Sequence, residues 1–289
     1  MSGWAELDHI QKQVVSSVTS VDQPIGIFDS GFGGLTVARA LIDLLPAEDY
    51  VYIGDTGRYP YGSKPLDDVR GYASELAHSL VDDFNVKAII VACNTATAAG
   101  LDDLRNELDV PIFDVVTPGA SAVVRASRAG RVGVIGTVGT ISSGAYVQAV
   151  ERAAQQTDVG IELSSAACPG FVEFVERGQL SGDEVMVLAE RLLAPLTEAK
   201  VDTLLLGCTH YPFLARTIGE VMGPDVVLVS SADETAFEVS ERLRELLLLR
   251  EPGAVGTRRF LSSGDVDTFR DLGSALFGAD LVAAEHWER

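Results

Sequence analysis

The chain has 289 residues, enough for one large or two medium domains. Hydrophobic residues at 47% and charged residues at 22% are ordinary for a globular protein and exclude a disordered chain. Against 42 acidic residues stand only 22 basic ones, a formal charge of −20. With no Lys/Arg cluster present, this argues against a nucleic-acid partner.

The first 23 residues are mixed and polar, an extension ahead of a core that begins at Pro24. They lack the apolar stretch of a secretion signal, and no apolar run in the chain is long enough to span a bilayer. From Pro24 the pattern predicts a strand over 25–28, a helix over 35–45, a strand over 50–53 and a helix over 66–84. A strand over 87–92, a helix over 95–107 and a strand over 110–113 follow. This alternation implies a mostly parallel sheet with helices on both faces.

The same order of events then recurs. Val132-Gly133-Val134-Ile135 repeats the pattern of Ile25-Gly26-Ile27-Phe28. A strand over 161–163 with the Cys168-Pro169-Gly170 loop stands where the strand over 50–53 and the Tyr59-Pro60-Tyr61-Gly62 loop stood. Leu204-Leu205-Leu206-Gly207-Cys208-Thr209 repeats Ile89-Ile90-Val91-Ala92-Cys93-Asn94. Three matched units in order imply two related α/β halves. A strand over 227–229, a helix from 233 to 250, a strand over 259–261 and a final helix complete the chain, crossing back to the first half. Ligands of such sheets bind beyond the carboxyl ends of the strands, so the expected site is a cleft between the halves.

Both Cys93 and Cys208 stand at such strand ends, each before a helix start. Cys93, Cys168 and Cys208 are an odd set without a CxxC pair, which suggests a reducing, cytoplasmic setting. A free cysteine is most often a buried structural thiol, and Cys168 reads that way. Cys93 has Asn94 and Thr95 as adjacent donors, and the helix start should lower its pKa. Cys208 has Gly207 before it and His210 two residues on, a proton partner by type.

Asp29-Ser30-Gly31-Phe32-Gly33-Gly34 fails as a dinucleotide fingerprint because Thr36 occupies the third glycine position. The turn still suits a carboxylate, and Asp29 could cap the helix or hold a proton near Cys93. Thr137 and Thr140 could cap the next helix or meet an anion. Tyr61 and Gly62 read as turn chemistry, and Glu176 as a solvated helix residue. His9, His78 and His286 read as surface residues, and the four histidines form no metal motif.

Taken together, Asp29-Ser30-Gly31-Phe32-Gly33-Gly34, Pro60-Tyr61-Gly62, Cys93-Asn94-Thr95 and Gly207-Cys208-Thr209-His210-Tyr211-Pro212 resemble the signature segments of bacterial glutamate racemases. The resemblance runs from Pro24 to the C-terminal helix. It implies two pseudo-symmetric parallel-sheet α/β domains, the second inserted into the first: 24–116 plus 229–289, and 117–228. It also implies interconversion of L- and D-glutamate without a cofactor, supplying D-glutamate for peptidoglycan. Cys93 and Cys208 match the proton-transferring thiols, with Asp29, Glu176 and His210 assisting. Asp29, Ser30, Tyr61, Gly62, Asn94, Thr95, Thr137, Thr140, Thr209 and His210 match substrate-contacting positions. In many members a proline stands where this chain has Glu173, so Glu173 competes with Glu176 for that role. The implied partner is a small molecule, glutamate; a homodimer is allowed. An aspartate or hydantoin racemase of the same superfamily and a non-catalytic amino-acid binding module are the alternatives.

Overall fold

The structure is a computed structural model describing residues 19–157, 160–253, 255–277 and 283–288. The expected extension over 1–23 therefore lies outside the described residues up to 18, as does His9.

The first half runs β1 (Ile25–Asp29), α1 (Leu35–Leu44), β2 (Tyr50–Gly54), α2 (Leu66–Asp82), β3 (Ala88–Val91), α3 (Asn94–Ala98), α4 (Asp102–Glu107) and β4 (Ile112–Asp114). The second half runs α5 (Val116–Ala126), β5 (Arg131–Gly136), α6 (Val138–Ser142), α7 (Ala145–Ala154), β6 (Glu162–Ala167), α8 (Phe171–Glu176), α9 (Asp183–Glu198), β7 (Thr203–Gly207), α10 (Ala215–Met222) and β8 (Val227–Ser230). The chain returns through α11 (Ser231–Glu245) to β9 (Arg258–Ser262), α12 (Val266–Phe277) and β10 (Glu285–His286).

Two all-parallel sheets result, ordered β10-β9-β2-β1-β3-β4 and β6-β5-β7-β8. Strands β1, β2, β3 and β7 are buried along their whole lengths, which is why they read as unbroken apolar runs rather than alternations. In each sheet the half's four strands lie in the order second, first, third, fourth. Connections from the first and third strands therefore diverge, opening a crevice at their carboxyl ends. In the first sheet that crevice lies between Asp29 and Cys93; in the second, between Thr137 and Cys208.

Helix α1 buries Leu35, Val37, Ala38, Leu41 and Ile42, a helical stripe against the sheet. Truncating a fully buried member such as Leu41 would cost roughly 2–5 kcal/mol. One apolar core extends from Ile27 and Leu35 through Phe32 and Cys208 to Leu204, Tyr211 and Ile218, so the halves are packed together. The returning helix α11 touches both α1 and α5. Its start is fixed by Ser230, whose hydroxyl accepts from the Ala232 N–H at 3.3 Å, and Asp233 and Glu234 complement the helix dipole.

Far from the crevices, Lys87 is fully buried at the start of the first sheet's third strand. Its ammonium donates to Glu48 Oε2 at 2.5 Å, to Leu248 O at 2.7 Å and to Val21 O at 2.8 Å. All three protons are used, as a buried charge requires. Burial pulls its pKa down while Glu48 draws it back up.

Several expectations shift. The helix read over 95–107 is two, α3 and α4, parted at Gly100, whose φ is +103°. The helix read over 233–250 starts at Ser231 and stops at Glu245, and the strand read over 161–163 is Glu162–Ala167. Helix α5 lies where no element is expected. Its Pro118 falls in the first turn, where a missing N–H costs nothing. Among the described residues no helix is long and apolar enough to cross a membrane.

Candidate active site

Cys93 follows β3 and caps α3: the Ala96 N–H approaches its sulfur at 3.4 Å. That contact lowers the thiol's pKa, as the sequence leads one to expect. Burial outweighs it, however, and with the nearby Asp29 charge pushes the thiol up to about 12. The expected net lowering is thus reversed, because the helix start is short and the sulfur is shut away from water. Cys208, just beyond β7, is likewise pushed upward by burial, against the pull of the His210 backbone N–H. Cys93 and Asp29 raise it further. All three cysteines, including the buried Cys168, are free thiols.

Asp29 ends β1 and is fully buried. Its Oδ2 accepts from the Gly34 N–H at 2.7 Å, while its Oδ1 has no hydrogen-bond partner among the described residues. Ser30 follows it at the same crevice. Opposite stands His210, its Nδ1 3.9 Å from Cys208 Sγ and 3.4 Å from Thr209 Oγ1. Phe32 meets the imidazole edge-on at 4.9 Å between ring centroids. Glu176 Oε1 lies 3.7 Å from His210 Nε2, an electrostatic contact rather than a hydrogen bond. Glu173 instead lines an adjoining cavity of about 70 Å³ with Cys168 and Tyr211.

The two halves meet through hydroxyls. Thr95 Oγ1, from the first half, lies 3.0 Å from Thr137 Oγ1 and 3.2 Å from Thr140 Oγ1, which are themselves 3.0 Å apart. Thr137 also caps α6 by accepting from the Thr140 N–H, the capping role expected of it. Gly62 packs directly on Thr137. Tyr61 is buried with its hydroxyl committed to Asp55.

Ser30, Tyr61, Gly62, Cys93, Asn94, Thr95, Thr137, Cys208, Thr209 and His210 line one small cavity of about 20 Å³. That is room for about one water in this conformation. Asp29, Thr140 and Glu176 stand behind the lining, each against one of its members. Among the described residues, no group of three His, Cys, Asp or Glu could hold a metal ion.

Sequence reasoning missed Asp55. It is fully buried, and besides Tyr61 it holds Arg58 Nε at 2.5 Å and Ser263 Oγ at 2.6 Å, pinning the loop that carries Gly62. Its signal was positional: it directly follows β2, at the same carboxyl edge as Asp29 and Cys93.

The chain is similar to known racemases in sequence and in fold. A family model described as Asp/Glu/Hydantoin racemase matches residues 25–238. A glutamate racemase of Parafrankia sp. (strain EAN1pec) is 51% identical over 261 residues, covering 90% of this chain and 92% of its own. A crystal structure of a glutamate racemase isoform from Bacillus anthracis superposes with a TM-score of 0.85 at 38% identity, covering 92% of this chain and 97% of that one. A glutamate racemase from Francisella tularensis in complex with D-glutamate gives a TM-score of 0.85 at 34% identity, covering 93% and 98%.

Proposed function

The chain belongs to the Asp/Glu/Hydantoin racemase family and is an amino-acid racemase; from that premise we propose that it interconverts L- and D-glutamate by proton transfer between Cys93 and Cys208. The observation that carries the reading is that two thiols from different sheets line one cavity, amid Asn94, Thr95 and Thr137.

In this scheme one cysteine is a thiolate and the other a thiol. The thiolate takes the Cα proton from one face of glutamate, leaving carbanion-like charge beside the α-carboxylate. The opposite thiol delivers its proton to the other face, and the two sulfurs have exchanged protonation states. Threonine hydroxyl and backbone N–H donors on the carboxylate stabilise the developing charge in a largely buried site.

The raised thiol pKa values serve this chemistry. Cα–H is a very weak acid, and a thiolate of higher pKa is a stronger base, so the gap narrows. The substrate's ammonium group, close by, lowers the cost of forming that thiolate. Asp29 on the Cys93 side and His210 on the Cys208 side assist proton movement, with Glu176 orienting the imidazole. Glutamate exceeds this small cavity, so on this reading the site widens to admit it. The D-glutamate formed serves peptidoglycan synthesis.

The test is pyridoxal-free enzyme with L-glutamate in D₂O, following optical rotation and α-deuterium together. D-glutamate should form with deuterium at Cα, while early residual L-glutamate keeps protium. Loss of rotation without deuterium uptake would sink the scheme.

A further inference from the structure

Tyr146 lies in α7 of the second half and is buried. Its hydroxyl oxygen accepts from the Asn94 Nδ2 of the first half at 2.7 Å. Its ring covers Gly207 so closely that a Cβ there would come 2.8 Å from Tyr146 Cε2. Asn94 directly follows Cys93, and Gly207 directly precedes Cys208. One phenol therefore braces both thiol-bearing loops, across the boundary between the halves.

The bond to Tyr146 also decides what Asn94 can offer. One Nδ2 proton is given to Tyr146, and Oδ1 is left buried with no hydrogen-bond partner among the described residues. Leaving a buried acceptor unpaired costs about 1–3 kcal/mol, which a ligand donor can recover. Asn94 lines the cavity between the thiols, and the substrate class there carries an ammonium group.

Resting on the two-thiol reading, we propose that Tyr146 is a positioning residue for racemisation, fixing the Asn94 amide so that its oxygen accepts from the substrate ammonium and setting the separation of the Cys93 and Cys208 loops. Burial holds the phenol's pKa above its ordinary value, so the brace stays uncharged throughout the assay range.

Tyr146→Phe keeps the ring on Gly207 and removes the hydroxyl. KM for both L- and D-glutamate should rise about tenfold, the loss of roughly one well-made hydrogen bond, with kcat changed by less than about threefold. Tyr146→Met, which lacks both hydroxyl and ring, should raise KM at least as far if the phenylalanine variant does not fold. Asn94→Ala and the double variant Asn94→Ala/Tyr146→Phe should have the same KM, because the phenol acts through the amide. Wild-type KM in Tyr146→Phe, or additive effects in the double variant, would overturn the inference. Unchanged kinetics with only a lowered Tm would also overturn it, assigning Tyr146 to folding alone. Failure of wild-type enzyme to exchange α-deuterium would instead strike the two-thiol reading itself.

Discussion

The surroundings of the two thiols share a backbone plan and differ in chemistry. Each cysteine follows the third strand of its half, beside the end of that half's first strand. Yet Cys93 faces a buried carboxylate, Asp29, whereas Cys208 faces an imidazole, His210, which leans towards a partly buried Glu176. The frame is doubled; the proton equipment is not. On the proposed scheme, a near-symmetric task, protonating either face of one carbon, would be served by two unlike acid–base pairs.

Removing either sulfur should break the comparison outright. Cys93→Ala and Cys208→Ala should each lower racemase kcat by at least ~10³-fold in a chiral assay. Near-wild-type turnover by either would mean that one thiol suffices. Asp29→Asn should cost about 10²-fold and His210→Asn about 10- to 10²-fold. The enantiomers are equally stable, so kcat/KM must remain equal in the two directions. Asymmetry between the pairs therefore has to appear in kcat and KM separately, with Asp29 and His210 variants skewed in opposite senses. Identical skew would show that the two sides are functionally equivalent.

The pH profile sharpens the same contrast. Burial raises both thiols, so the thiolate is scarce at neutral pH, and kcat/KM should climb between about pH 6 and pH 9. A flat profile would contradict this. Asp29→Asn removes a charge that raises Cys93, so the surviving activity should rise at lower pH than in wild type. Glu176→Gln should have the smallest effect, roughly threefold in kcat, since its carboxylate reaches the imidazole only at 3.7 Å from a partly exposed position.

The frame was legible because its signals are local and repeated. Apolar runs ending in Asp29, Cys93 and Cys208 announce buried parallel strands, and their recurrence announces two halves. The thiols' raised pKa was not legible, because a helix start is visible in sequence and the depth of burial is not. Tyr146 escaped notice as one aromatic in an amphipathic helix, away from every motif; its partner is 52 residues distant. The pairing of Lys87 with Glu48 joins unremarkable residues 39 apart, and only the fold makes it a buried charge pair.

The position of β9 has a consequence for biosynthesis. It pairs with β2, yet it emerges after the whole second sheet, which is complete at Ser230. A growing polypeptide that has emerged from the ribosome as far as Ser230 would own a complete second sheet and an incomplete first one, with β2 bare along one edge and the Lys87 ammonium short of its Leu248 acceptor. Limited proteolysis of ribosome-held fragments should therefore cut the first half and spare the second, reversing the usual order in which N-terminal parts mature first. Equal protection of both halves at that length would show that the early strands hold without their late neighbour.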